Sequence, residues 1–265
     1  MLSALRRRKL TTRLPTFVVI GTMKGGTSSL HRYLGEHPEV SMSTVKETNF
    51  LTGRTDHDLD WYIEQFDESA PARGESSPNY SKRQSFTGVP ERMDQLLPGA
   101  RLVYLVRDPV ERALSNVAHA VRKGRLERAD ADLVFEPVDG EVGRLAPQSD
   151  YYVQTSRYHW QLQAYLEHYD LDDVLVVASE DLRSDRRAAL RRVFTHVGVD
   201  PDFDSPSFDT EHHVTGRTRM DRQADEPVTT PTMSDSARAS LVAALADDVA
   251  QLRTLTGQPF DAWQL

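Results

Sequence analysis

The chain contains no cysteine. That excludes a disulfide framework, a zinc–thiolate site, an iron–sulfur cluster and a cysteine nucleophile. It also lacks any apolar run near the ~18–20 residues of a membrane-spanning helix, so no transmembrane segment is expected. Positive charge is in deficit, with 32 Lys and Arg against 40 Asp and Glu, a net −8. Nucleic-acid binders usually leave a basic footprint, so no nucleic-acid partner is expected either. What remains is ordinary for a soluble protein: 265 residues with 38% hydrophobic content suit one α/β domain around one core. Acidic residues are missing altogether from the first 35 positions, which hold Arg6, Arg7, Arg8, Lys9, Arg13, Lys24 and Arg32. This positive end overlaps the most motif-like stretch, where its charge can serve an anionic ligand.

Residues 1–14 read as a basic arm, with too short an apolar stretch behind the charges for a secretory signal. Residues 15–265 read as a single domain. Phe17-Val18-Val19-Ile20, Arg101–Val106 and Val174–Val177 are apolar, β-branched runs of the kind buried in parallel sheets. Val40–Met42 is a further short strand, and Glu75–Tyr80 a strand end or loop stopped by Pro78. Helices are expected from Thr27 to about His37, over Asp58–Phe66 and Val89–Leu97, and from Asp108-Pro109 to about Lys123, where Asp108 caps and proline takes the first position. One long helix is expected over Tyr151–Tyr169, with others over Asp185–Val197 and Ser234–Leu255. Residues 124–150 read as an irregular insertion or mobile lid, and 200–232 as irregular. Strands alternating with helices imply a three-layer α/β fold with a central parallel sheet.

Gly21-Thr22-Met23-Lys24-Gly25-Gly26-Thr27-Ser28-Ser29 follows the first strand and opens a helix. Glycines let backbone N–H groups turn toward an anion, and the helix N-terminus adds partial positive charge. Lys24 supplies a full charge, and Thr27 and Ser28 supply hydroxyls. The order differs from the nucleoside-triphosphate loop, in which lysine follows the last glycine and a metal-binding hydroxyl follows lysine.

A second segment, Arg107-Asp108-Pro109-Val110-Glu111-Arg112-Ala113-Leu114-Ser115, also joins a strand to a helix. Arg107 can grip a phosphate with two parallel N–H bonds, and Ser115 lies two turns along to complete the grip. Arg112 reads as a salt-bridging residue. Together the two segments resemble the sulfotransferases that use 3′-phosphoadenosine 5′-phosphosulfate (PAPS), and the wider layout resembles their heparan-sulfate-type branch and its bacterial relatives. Further matching stretches are Lys46–Leu51, Asp60-Trp61-Tyr62, Gly74–Tyr80, Val89–Arg92, Tyr158 and Glu180-Asp181-Leu182.

The resemblance implies a P-loop-like sulfotransferase fold. It implies that Lys24, Gly25, Gly26, Thr27 and Ser28 hold the 5′-phosphosulfate. Arg107 and Ser115 would hold the 3′-phosphate, and Gly216 and Arg217 would close over the nucleotide. The expected reaction is in-line sulfuryl transfer to a hydroxyl or amine of a carbohydrate, lipid or secondary metabolite, releasing 3′,5′-ADP. Glu47 aligns with the glutamate base of the glycan-type branch, Lys24 is the leaving-group cation, and His119 is the alternative base. No metal is expected, because lysine and backbone amides can neutralise the charge. Ser76 stands where heparan-type enzymes often carry lysine, and Asn49 where they can carry histidine; both changes argue against a polyanionic glycan acceptor. A cysteine-free chain of this kind is expected in the cytoplasm. The alternatives are a P-loop kinase, or a non-catalytic nucleotide-binding protein on the same fold. Oligomeric state is not legible.

Overall fold

The computed structural model describes residues 13–210 and 231–265. The basic arm up to residue 12, and Gly216 and Arg217, lie outside the described residues. In chain order the elements open with β1 (Phe17–Gly21), α1 (Thr27–Gly35), β2 (Val40–Met42), α2 (Leu59–Ile63) and β3 (Ala72–Ser76). They continue with α3 (Val89–Leu96), β4 (Arg101–Val106), α4 (Pro109–Arg122), α5 (Arg128–Ala131), α6 (Asp150–Ser156) and α7 (Tyr158–Leu166). The last are β5 (Val174–Ala178), α8 (Ser179–Ser184), α9 (Arg186–Val197) and α10 (Asp235–Thr256). All four strand pairings are parallel, in the order β2-β3-β1-β4-β5.

Both faces of the sheet are buried, as the continuous apolar strands demand. Val18, Ile20, Leu102, Tyr104 and Val106 pack into one core beneath α2, α3 and α7. Phe17, Val19, Val103, Leu105 and Val177 pack on the other side against α1 and α9. Each such side chain contributes roughly 1.5–3 kcal/mol by leaving water. A third cluster joins Val110, Ala113 and Val117 of α4 to Leu241 and Leu245 of α10. Ala131, Val134 and Phe135, from the stretch 124–150, are buried in that cluster.

The long helix expected over Tyr151–Tyr169 is two helices, broken at Arg157 (φ −82°, ψ 82°). The reason is a cap supplied from far along the chain. Asp248 of α10 accepts hydrogen bonds from the backbone N–H of His159 (3.0 Å) and Trp160 (2.9 Å), satisfying donors that a fresh helix start exposes. Glu75-Ser76 does end a strand before Pro78, but that strand, β3, starts at Ala72 and lies in the sheet interior, which its sequence Ala-Arg-Gly-Glu-Ser does not announce. The ring of Phe17 lies over Gly74 so closely that a Cβ there would come within 2.1 Å of it.

Chain direction decides where a ligand can sit. From β1 the chain crosses to the edge strand β2 and returns to β3 beside β1, then passes to β4 and β5 on the other side. The carboxyl ends of β1 and β4 are therefore a topological switch point, where loops leave in opposite directions and open a crevice.

Candidate active site

Gly21 ends β1 at a register shift against β4. The loop that follows is pinned to β4 by a hydrogen bond from the Thr22 N–H to the Leu105 carbonyl (2.6 Å). The Gly25 N–H donates to the Thr22 carbonyl (2.9 Å), and a Cβ on Gly25 would lie 2.7 Å from the Thr22 methyl. Lys24 (φ 69°) and Gly26 (φ 96°) both take the left-handed conformation, and Gly26 is the cap of α1. No side chain caps α1, and its first turn carries no acidic residue. The open N–H groups and helix dipole are therefore left for an anion. Thr27 is buried at the start of α1 and Ser28 half-buried beside it.

Arg107, at the end of β4, reaches this loop. One guanidinium nitrogen donates to the Lys24 carbonyl (3.4 Å), and another lies 3.4 Å from Glu111. Its Nε is buried and makes no hydrogen bond among the described residues. The same holds for the hydroxyls of Ser115 on α4, Thr22 in the loop and Ser179 at the start of α8. Buried donors without partners are costly, and four around one switch point fit a site shaped for an anionic ligand. Ser179, whose Cβ lies about 4.0 Å from where a Gly26 Cβ would stand, escaped sequence analysis. Its signal was its place directly after β5, the neighbour of β4.

Arg112 differs from its sequence reading. It makes no salt bridge among the described residues and is fully buried. Nε donates to the Ser156 hydroxyl (2.8 Å) and a terminal nitrogen to the Tyr152 carbonyl (2.6 Å), tying α4 to α6. A carbonyl and a hydroxyl absorb two of its nitrogens, and the third is buried without a partner among the described residues. Asp108 caps α4 through the N–H groups of Val110 (2.9 Å) and Glu111 (3.1 Å), and also accepts from the Gln264 N–H (2.8 Å). Glu180 accepts from the Asp108 N–H (3.2 Å) and the Trp263 indole (3.2 Å), so it fixes the start of this segment.

Glu47 sits on the loop after β2, half-exposed and paired with Lys46 (2.6 Å). Its φ of 64° and that of Asn49, 53°, are uncommon for residues other than glycine. The loop is held there from several directions. The Asn49 amide donates to the Glu47 carbonyl (2.9 Å), the Asn79 amide to Asn49 Oδ1 (3.0 Å), and the Asn49 N–H to the Ser77 hydroxyl (3.2 Å). Beneath it lies Glu75, wholly buried on β3, which accepts hydroxyls from Thr48, Tyr62 (2.5 Å), Ser77 (2.8 Å) and Tyr80 (2.9 Å). Burial pushes the Glu75 carboxyl above its ordinary value, against the pull of those four donors.

His31 is a second residue that sequence analysis did not select. It lies one turn beyond Thr27 on α1, and its Nδ1 is 3.2 Å from the Ser76 hydroxyl at the end of β3. Burial, and then the positive charge of Lys46, hold its imidazole down at about pKa 4, while Glu47 pulls the other way. The Ser76 hydroxyl that His31 meets adjoins Ser77, whose own hydroxyl accepts from the Asn49 N–H of the Glu47 loop. His119 on α4 is also held at about 4, by burial and then by Lys24. Spacing of Thr27 and His31 at i and i+4 on the loop helix was the available signal.

These two imidazoles predict an acid sensitivity. Between pH 6.5 and about 4 the unfolded chain takes up protons that the folded chain refuses. Stability therefore falls as pH drops through that window. Thermal midpoints measured from pH 7 to pH 4.5 are expected to decline, and His31→Gln is expected to flatten the slope. A slope unchanged in both His31→Gln and His119→Gln would contradict this account.

Comparisons with known proteins accord with this geometry. The chain is 25% identical to a sulfotransferase from Alicyclobacillus acidocaldarius, whose structure superposes with a TM-score of 0.71 over 95% of this chain and 99% of that one. It is 27% identical over 210 residues to bovine bifunctional heparan sulfate N-deacetylase/N-sulfotransferase 2, covering 74% of this chain and 23% of that protein. It is 29% identical over 189 residues to mouse heparan sulfate glucosamine 3-O-sulfotransferase 3B1, covering 71% and 47% respectively. The chain thus spans less than half the length of these two curated relatives. With the sulfotransferase domain matched over residues 14–227, on a five-stranded parallel sheet and a phosphate-type loop, the chain belongs to the sulfotransferase family.

Proposed function

We propose that the chain transfers the sulfuryl group of PAPS to a hydroxyl or amine of a small-molecule or glycan acceptor. The observation that carries this reading is the pair of anion-ready ends at β1 and β4. One offers Lys24, the glycine cradle and an uncapped helix start; the other offers the unpartnered Arg107 Nε and Ser115 hydroxyl. Two separate anion sites suit a nucleotide carrying both a 3′-phosphate and a 5′-phosphosulfate, and they select against nucleotides with one phosphate group.

PAPS supplies the sulfuryl group and a phosphate leaving group. Glu47 accepts the acceptor's proton as its oxygen or nitrogen bonds to sulfur. The bridging S–O bond breaks, and its electron pair goes to the departing phosphate. Lys24 and the N–H groups of Gly25 to Ser28 stabilise that growing negative charge. Arg107 and Ser115 hold the far end of the nucleotide and so fix the line of attack.

The kinase alternative asks for an acidic residue at the end of β4 to hold Mg²⁺. Arg107 ends that connection, and both carboxylate oxygens of the following Asp108 are spent on backbone N–H groups. Calorimetric titration is expected to show 3′,5′-ADP binding far more tightly than ATP–Mg²⁺. Incubation with PAPS and an acceptor panel should yield 3′,5′-ADP and products heavier by one SO₃. Binding of ATP–Mg²⁺ without preference for 3′,5′-ADP would revive the kinase reading. Tight 3′,5′-ADP binding without turnover would favour a binding protein.

A further inference from the structure

Three cationic side chains of the described residues are buried: Arg73, Lys82 and Arg112. The two arginines donate to backbone carbonyls and a hydroxyl, although Arg112 keeps one buried nitrogen without a partner among the described residues. Lys82 is only 6% exposed, yet among the described residues its ammonium makes no ion pair and no hydrogen bond. Its one partner there is the face of the Tyr151 ring, 5.8 Å from Nζ. Its stem is packed away while the ammonium has only an aromatic face beside it among the described residues, so its three donors are open to an anion.

The position of Lys82 says where that anion would come from. Lys82 closes the 3₁₀ turn Pro78–Ser81 that leads off β3. In such a turn residues three apart share a face. Three residues earlier stands Asn79, whose amide holds Asn49, which in turn holds the Glu47 carbonyl. The neighbouring Ser81 hydroxyl lies 3.2 Å from where a Cβ on Gly21 would stand, at the end of β1. On the other side, the Tyr151 hydroxyl lies 3.8 Å from Met23 Sδ within the phosphate loop. Lys82 is thus set between the phosphate loop and the loop of the proposed base, which is where an acceptor must lie to reach both.

We infer that Lys82 forms an acceptor subsite for one acidic group, a carboxylate or a sulfate ester, so that the natural acceptor is a singly charged anionic alcohol or amine. The inference rests on the sulfotransferase reading of the same crevice and names its substrate class. It also accounts for Ser76 and Asn49: the cationic handles suited to a polyanion are absent there, and one lysine without an ion pair among the described residues stands nearby instead. The Tyr151 ring, 38% exposed, would flank the same group and orient the ammonium toward it.

The test uses the full chain saturated with 3′,5′-ADP and matched probes that differ only in a carboxylate: 4-nitrophenyl β-glucuronide against 4-nitrophenyl β-glucoside, and 4-carboxybenzyl alcohol against benzyl alcohol. In calorimetry the wild type is expected to bind the acidic member of a pair about tenfold or more tightly, the scale of a charge-assisted hydrogen bond. Lys82→Met is expected to erase that preference while leaving the neutral member's affinity and that of 3′,5′-ADP unchanged, and Lys82→Arg to keep part of it. Equal binding of both members by the wild type, or binding of neither across the pairs, overturns the inference and needs no variant. A preference that survives in Lys82→Met also overturns it. If Lys82→Met weakens PAPS or 3′,5′-ADP binding, the lysine serves the donor and the acceptor subsite is wrong. Failure of the wild type to bind 3′,5′-ADP at all would instead sink the sulfotransferase reading.

Discussion

Glu47→Gln is expected to slow sulfuryl transfer by about 10²–10⁴-fold, the usual worth of a positioned general base. Affinity for 3′,5′-ADP should be unchanged, because the hydrogen bonds of Glu47 among the described residues go to Lys46 and Asn49 of its own loop. Glutamine keeps the length and the left-handed backbone in question but takes up no proton. The expectation rests on how the loop is built. A positive φ at two residues of five costs conformational energy, and such a backbone persists only where its surroundings fix it. Here Asn49, Asn79, Ser77 and, through Thr48, Glu75 do the fixing. His119 is the rival, an imidazole on α4 held down at about pKa 4 by burial and then by the charge of Lys24. Quench-flow or steady-state assays on Glu47→Gln and His119→Gln separate the two. If the histidine variant loses the larger factor and Glu47→Gln keeps near wild-type turnover, the roles are reversed.

What could be read from the sequence followed from local signals. β1, β4 and β5 are unbroken apolar runs, and each lies where the pattern places it. The cap of Asp108 on α4 and the stop of α9 at Gly198 (φ 82°) are local chemistry within a few residues. The glycine loop and Arg107 converge because both follow strands that the topology sets side by side. The misses share a different cause, since each depends on partners distant in sequence. β3 reads as polar because its arginine is absorbed by the Leu14 and Ala70 carbonyls and its glutamate by four hydroxyls, none visible in a five-residue window. Arg112 lacks an acidic partner among the described residues, and Ser156 and Tyr152, 44 and 40 positions away, take two of its nitrogens. The break at Arg157 needs Asp248, nearly 90 positions on. His31 and Ser179 offered only their positions, on the loop helix and directly after β5, and Lys82 offered none; burial and partners distant in sequence single them out.

Glu75→Ala is expected to cost stability on the order of 3–5 kcal/mol, a large share of the 5–15 kcal/mol that holds a typical domain together. The carboxylate is the common acceptor for Thr48, Tyr62, Ser77 and Tyr80 in a place closed to water. Removing it leaves those hydroxyls with few alternatives and opens a cavity beneath the Glu47 loop, and each effect alone costs 1 kcal/mol or more. The hydroxyls come from three directions: the base loop, α2, and the turn after β3 that leads to Lys82. Glu75 therefore joins the parts of the acceptor side that have no regular structure of their own. Glu75→Gln separates this positioning role from bulk stability. Its amide has nearly the same volume and keeps one carbonyl oxygen, so the chain should fold with a smaller loss. Because two of the four donors must then turn around, the base loop should shift, lowering kcat while 3′,5′-ADP affinity stays at the wild-type value. Chemical denaturation and steady-state kinetics on the two variants check both expectations. A Glu75→Gln protein with wild-type kcat would show that the buried carboxyl holds the fold and contributes nothing to placing the base.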